Sequence, residues 1–136
     1  MKTHPVFISY CSSEKNIADA VCHALEENGI KCWIAPRDIK QGGSYSSEIN
    51  NGIEQSNLLL LIFSKESQKS IWVKKEVERA FNKGLMIIPL RIEEIMPNEE
   101  MMIFISNVQW LDAFSQPIEN HILDLVNAIH KVIPVN

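Results

Sequence analysis

Six consecutive apolar residues, Leu58 to Phe63, admit few architectures. Side chains along a strand alternate between its faces, so a run apolar at every position needs cover on both sides, as in the centre of a parallel sheet. It is also the longest such run in the chain, whereas a membrane span needs roughly twenty residues. Around it, strand-like and helix-like segments alternate. Val6-Phe7-Ile8 ends at Ser9-Tyr10, and Ser12-Ser13 with Glu14 offers a helix N-cap. Ile17, Val21, Ala24 and Leu25 then share one helical face, closed by Asn28-Gly29. Ile30 to Ile34 reads as a second strand, and Ala35 to Tyr45, with its Pro and Gly pair, as a long loop. A helix begins at Ser46-Ser47-Glu48 and closes at Ser56-Asn57; another spans Ser70 to Asn82, stopped by Lys83-Gly84. Leu85 to Leu90 is a fourth strand in which Pro89 must sit at an end, an edge or a bulge. Glu93 to Met102 reads as a plain connection and Val108 to Leu111 as a fifth strand. Pro117 opens a last helix with Ile118, Ile122, Leu125, Val126, Ile129 and Ile133 inward.

This alternation predicts an α/β fold, a flavodoxin-like three-layer sandwich with a five-stranded parallel sheet of order 2-1-3-4-5 and helices on both faces. Its ligand crevice would lie outside the carboxyl ends of strands one and three. Ser9 to Ser13, the Ala35 to Tyr45 loop and Ser64 to Trp72 are therefore the segments to search.

With 136 residues, 46% apolar and 22% charged, the chain is one globular domain. A formal net charge of −4 gives no positive field for nucleic acid or an anionic membrane, so neither is an expected partner. The N-terminus, Met1 to Pro5, has no secretory pattern, and a cytoplasmic location is expected. Cys11, Cys22 and Cys32 lack CxxC spacing and read as small buried hydrophobes. The four histidines are scattered without an HExxH pairing, so no metal centre is expected. There is no GxSxG elbow, phosphate loop or GxGxxG, and a phosphotransfer receiver would need an aspartate where strand three runs into Ser64.

On the Ser70 to Asn82 helix, with Trp72 at zero and about 100° per residue, Glu76 falls near 40°, between Trp72 and the arc of Ala80, Val73, Val77 and Phe81. Lys74, Lys75 and Glu78 fall outside. A carboxylate on the inward arc must be paired, exposed at a crevice or kept for a task. Helical geometry alone leaves open a boundary glutamate bonded to backbone or to Arg79. Trp72, one turn earlier, is either core or an aromatic wall beside that carboxylate; Trp33, at the end of strand two, carries the same alternatives.

Together these segments resemble a Toll/interleukin-1 receptor (TIR) domain of the bacterial, NAD-cleaving kind, over about Pro5 to Ile133. Phe7-Ile8-Ser9-Tyr10 is similar to the family's first-strand box, and Trp33-Ile34-Ala35-Pro36-Arg37-Asp38-Ile39 with Gly42 to its second, the loop that governs assembly and gates the site. Trp72-Val73-Lys74-Lys75-Glu76 matches the tryptophan-to-glutamate spacing; Ile87-Ile88-Pro89 and Trp110 agree. The resemblance implies that Glu76 is the catalytic glutamate of a NAD+ nucleosidase, with NAD+ as substrate and no further cofactor. It implies that Trp72 forms an aromatic wall, that Tyr45 meets a nucleobase or nicotinamide ring, and that Ser9, Tyr10, Cys11, Ser12 and Trp33 border the crevice. Arg37 and Lys40 are then expected at the phosphates. Cys11-Ser12 departs from the basic residues that animal NAD-cleaving relatives carry after the tyrosine.

Two functions follow. One is cleavage of the nicotinamide–ribose bond to give nicotinamide and ADP-ribose or a cyclic isomer, activated by self-association with other TIR domains in antiviral defence. The other is a non-catalytic adaptor recruiting TIR domains through the Ala35 to Tyr45 loop. In either case residues 1–136 are expected to be one domain of a larger effector with a sensor module.

Overall fold

The computed structural model describes residues 4–115 and 117–133. Five parallel strands form one sheet: β1 His4–Ser9, β2 Cys32–Trp33, β3 Ser56–Phe63, β4 Met86–Arg91 and β5 Leu111–Asp112, in the order β2-β1-β3-β4-β5. The helices are α1 Lys15–Glu27, α2 Tyr45–Glu54, α3 Lys65–Lys69, α4 Ile71–Asn82, α5 Glu99–Ile105 and α6 Ile122–Val132, with 3-10 turns at Ser12–Glu14 and Ile118–His121. The expected α/β sandwich and strand order are found.

The apolar run of β3 explains the layering. Leu58, Leu60 and Ile62 point to one face, where they meet Val6 and Ile8 of β1, Val21 and Leu25 of α1, and Leu125 and Ile129 of α6. Leu59, Leu61 and Phe63 point to the other, against Phe7, Ile53 of α2, Val73 and Val77 of α4, and Ile105 of α5. All six of these side chains, Leu58 to Phe63, are fully buried, so the strand lies central between two cores. Gly29 and Gly84 adopt φ of 79° and 77°, ending α1 and α4 with the left-handed residue a helix stop favours. Pro89 pairs with Leu61 of β3, while β5 reaches β4 only at Leu90 and Arg91, so its missing donor falls on a stretch of β4 without a neighbour on that side.

Several elements differ from expectation. Ser56 and Asn57 open β3 instead of closing the preceding helix: the buried Ser56 hydroxyl donates to Gly52 O at 2.7 Å, which lets a polar residue start an inner strand. The Glu93 to Met102 connection runs into α5, capped by Asn98 and anchored by Met101 and Ile105. The fifth strand lies later, at Leu111–Asp112, with Trp110 just before it. Pro117 is the N-cap of the 3-10 turn that leads into α6. Cys22 and Cys32 are buried as predicted, but Cys11 is only half-buried.

Candidate active site

A cleft of about 380 Å3 opens where the chain leaves β1 and β2, walled on its far side by the first turns of α4. Tyr10, Cys11 and Ser12 reach it from the turn after β1, Trp33 and Ala35 from β2 and the loop beyond, Tyr45 from the start of α2, and Trp72 and Glu76 from α4. The cleft lies at the strand carboxyl ends, as the topology predicts, but beside β1 and β2 instead of β1 and β3; the segment leaving β3 reaches it only at Ser70 and through α4.

Helix α4 is aimed by its cap: the Ser70 hydroxyl accepts from Val73 N at 3.3 Å, and Val73, Val77 and Ala80 seat the helix on the sheet. Trp72 stands at the edge of that buried face and is 55% exposed. One turn on, Glu76 dips behind it, where the Ser9 hydroxyl at the end of β1 donates to Oε1 at 2.7 Å. Burial pushes the Glu76 carboxyl up to about 7, because the charged form loses water; the Ser9 hydrogen bond pulls the other way without cancelling the effect. Arg79 takes no part in this: its guanidinium goes to Glu54 at 3.3 Å. Glu76 is thus neither ion-paired nor tied to backbone among the described residues.

The aromatic residues divide by role. Trp33 is buried and stacks on Phe7, with centroids 4.9 Å apart and planes 8° from parallel, so it serves as floor. Tyr45, 53% exposed, meets Trp72 edge-on at 6.1 Å, and the two rings form a rim across the mouth. The Tyr10 hydroxyl donates to Ala35 O at 2.5 Å, bracing the loop after β2 against the turn after β1. Cys11 Sγ lies 3.4 Å from Ser13 Oγ beside the opening.

Arg37 and Lys40 do not join this group, and the expected phosphate role is not supported by where they lie. The Arg37 guanidinium donates to both Glu26 carboxylate oxygens at 2.8 and 3.0 Å, to Asp38 at 2.8 Å and to Cys32 O at 2.8 Å, which pins the loop to α1. Neither residue lines the cleft. The Lys40 backbone N–H donates to Glu48 Oε1 at 2.9 Å, tying the loop to α2. Among the described residues one group, Cys22, Glu26 and Cys32, brings potential metal-ligating atoms within 4.8 Å of one another. The same guanidinium already occupies it, with Nη1 3.6 Å from Cys22 Sγ, so the place a cation would take is filled by a fixed positive charge. Ser70, which also lines the cleft, falls within the Ser64 to Trp72 segment that the topology pointed to, though only its place as N-cap two residues before Trp72 could have singled it out.

The chain is similar to the 2' cyclic ADP-D-ribose synthase BtTIR of Bacteroides thetaiotaomicron, 30% identical over 94 residues, 65% of this chain and 33% of the relative. It is also similar to the probable 2' cyclic ADP-D-ribose synthase TcpO of Methanobrevibacter olleyae, 28% identical over 81 residues, 59% of this chain and 24% of the relative. The matched regions therefore cover a third or less of these curated relatives' own length. Among solved structures, the TIR domain of the Toll-related receptor TRR-2 from Hydra magnipapillata superposes with a TM-score of 0.78 at 22% identity, over 94% of this chain and 99% of that one. The model of the TIR domain family matches residues 6–126, and the chain belongs to that family.

Proposed function

We propose that this domain is a NAD+ nucleosidase that cleaves the nicotinamide–ribose bond to give nicotinamide and ADP-ribose or a cyclic isomer. The observation carrying the reading is Glu76: a carboxyl on a cleft wall, one turn past an exposed indole, held by a single hydroxyl and by no cation among the described residues. Packing alone gives no reason to keep an acidic group there.

The bond order of events is simple. As the ribose C1–N bond breaks, its electron pair goes to the pyridinium nitrogen, and nicotinamide leaves neutral, so no acid need protonate it. Positive charge grows on the anomeric carbon and ring oxygen. An ionised Glu76 beside them stabilises that charge, an electrostatic role that one carboxylate fills without the second that ordinary glycosidases use. Trp72 and Tyr45 offer ring faces for nicotinamide or adenine. The cation is then captured by water, or by a ribose hydroxyl of the adenosine end, which closes a ring; in either case the attacking oxygen loses its proton to solvent as the C–O bond forms. The names of both curated relatives specify a 2' cyclic product and support the second route. Self-association with other TIR domains would switch the activity on, in a cytoplasmic defence role.

Mass analysis of the products tests the reading. Linear ADP-ribose is heavier than a cyclic isomer by one water, and either would accompany released nicotinamide. Intact NAD+ after prolonged incubation at high protein concentration would end the enzymatic reading and leave a recruiting module.

A further inference from the structure

The cleft beside Glu76 leaves the most charged part of a dinucleotide without a counter-charge. Among the described residues no Lys or Arg lines it, and Arg37 is already committed to Glu26 and Asp38. A second hollow, of about 210 Å3, opens against the same two side chains, Trp72 and Glu76, in the angle between α2 and α4. Its polar lining is Ser46 and Asn50 from α2, with Lys75 and Arg79 from α4. Lys75 Nζ stands 5.4 Å from the centre of the Trp72 ring and, among the described residues, has no carboxylate or carbonyl partner. Arg79 donates through Nη2 to Glu54, and its enclosed Nε has no acceptor among the described residues. Lys75 and the remaining N–H groups of the Arg79 fork are the cationic donors that line the hollow, and an anion with several oxygens can engage such donors.

We propose that this hollow is a diphosphate subsite, in which Lys75 and Arg79, helped by Ser46 and Asn50, hold the two phosphates of a dinucleotide whose nicotinamide riboside end lies in the cleft beside Glu76. The identity of the ligand rests on the nucleosidase reading; the anion preference rests on the hollow's own residues. Substrate would cross the Trp72 ring from one cavity to the other. Two cations on that side would offset the repulsion between the diphosphate and the Glu76 carboxylate.

The test uses ADP as a probe of binding, independent of turnover, followed by calorimetry on the whole domain. Millimolar-range or tighter binding is expected. Lys75→Gln and the double change with Arg79→Gln should weaken it by about tenfold or more, while Lys69→Gln, which removes a charge outside the hollow, should not. Lys75 is exposed, so its single variant keeps the test valid if loss of the Arg79–Glu54 pair disturbs folding. In turnover, the loss of kcat/KM should fall about tenfold more heavily on NAD+ than on nicotinamide riboside, which has no phosphate. Equal ADP binding by wild type and the double variant, or no binding by wild type, overturns the subsite. Charge-dependent ADP binding in a protein that never cleaves NAD+ upholds the subsite and removes the nucleosidase reading alone.

Discussion

At the scale of single residues, the account turns on how Glu76 ionises. Its carboxyl is raised from the ordinary 4.5 to about 7 by burial. If the ionised form carries the reaction, kcat/KM for NAD+ should rise with pH through about 7 and level off above it; a flat profile from pH 5 to 9 would contradict that role. The same shift has a consequence for stability. Between the unfolded and folded values the native state holds a proton that the unfolded chain has released. Stability therefore falls as pH rises from about 4.5 to about 7, by a total on the order of 3 kcal/mol. Glu76→Gln should remove that slope in denaturant titrations and leave the variant more stable than wild type at pH 8. Ser9→Ala, which deletes the hydroxyl that favours the charged form, should move the activity profile to higher pH. An unmoved profile in that variant would mean the hydrogen bond does not govern the carboxyl.

At the scale of elements, α2 is held close to the floor of the cleft by the absence of a side chain. A Cβ on Gly52 would come within 2.7 Å of Cε2 and 2.8 Å of Cδ2 in the Trp33 indole. Alanine is favoured over glycine in a helix by up to ~1 kcal/mol, but Trp33 is buried and stacked on Phe7 and has no room to yield. Gly52→Ala should therefore destabilise the domain, by about 1–3 kcal/mol in a thermal or urea melt, and displace Tyr45 at the other end of α2. A melting temperature at or above wild type would show that α2 shifts without cost. How much of this was legible in the sequence varied with length and period. The unbroken apolar run of β3 and the glycines after α1 and α4 announced themselves. By contrast, α5 escaped notice because a seven-residue helix offers only Met101 and Ile105 as inward positions, amid exposed Met102 and Ile103. The onset of β3 was missed because Ser56 is polar, and only its bond to Gly52 O makes its burial tolerable.

At the scale of the whole molecule, the site was readable where it depended on one helix and unreadable where it depended on distant partners. Helical spacing placed Glu76 inward and beside Trp72. Nothing local showed that Arg37 would turn back to Glu26, eleven positions earlier, or that Ser9 would be the group to reach Glu76. The rim rings of Tyr45 and Trp72 remain more than half exposed in the single chain, which fits a site completed by a neighbouring copy. Specific activity is accordingly expected to rise with protein concentration, alongside larger species in light scattering. A constant specific activity from a monomer at every concentration would contradict assembly. The most direct trial of the central claim is nicotinamide release from NAD+ by wild type and Glu76→Gln, compared at equal concentration with circular dichroism confirming that both fold. The account predicts release by wild type and a loss of about a hundredfold or more in the variant. Equal release by the two proteins would contradict it.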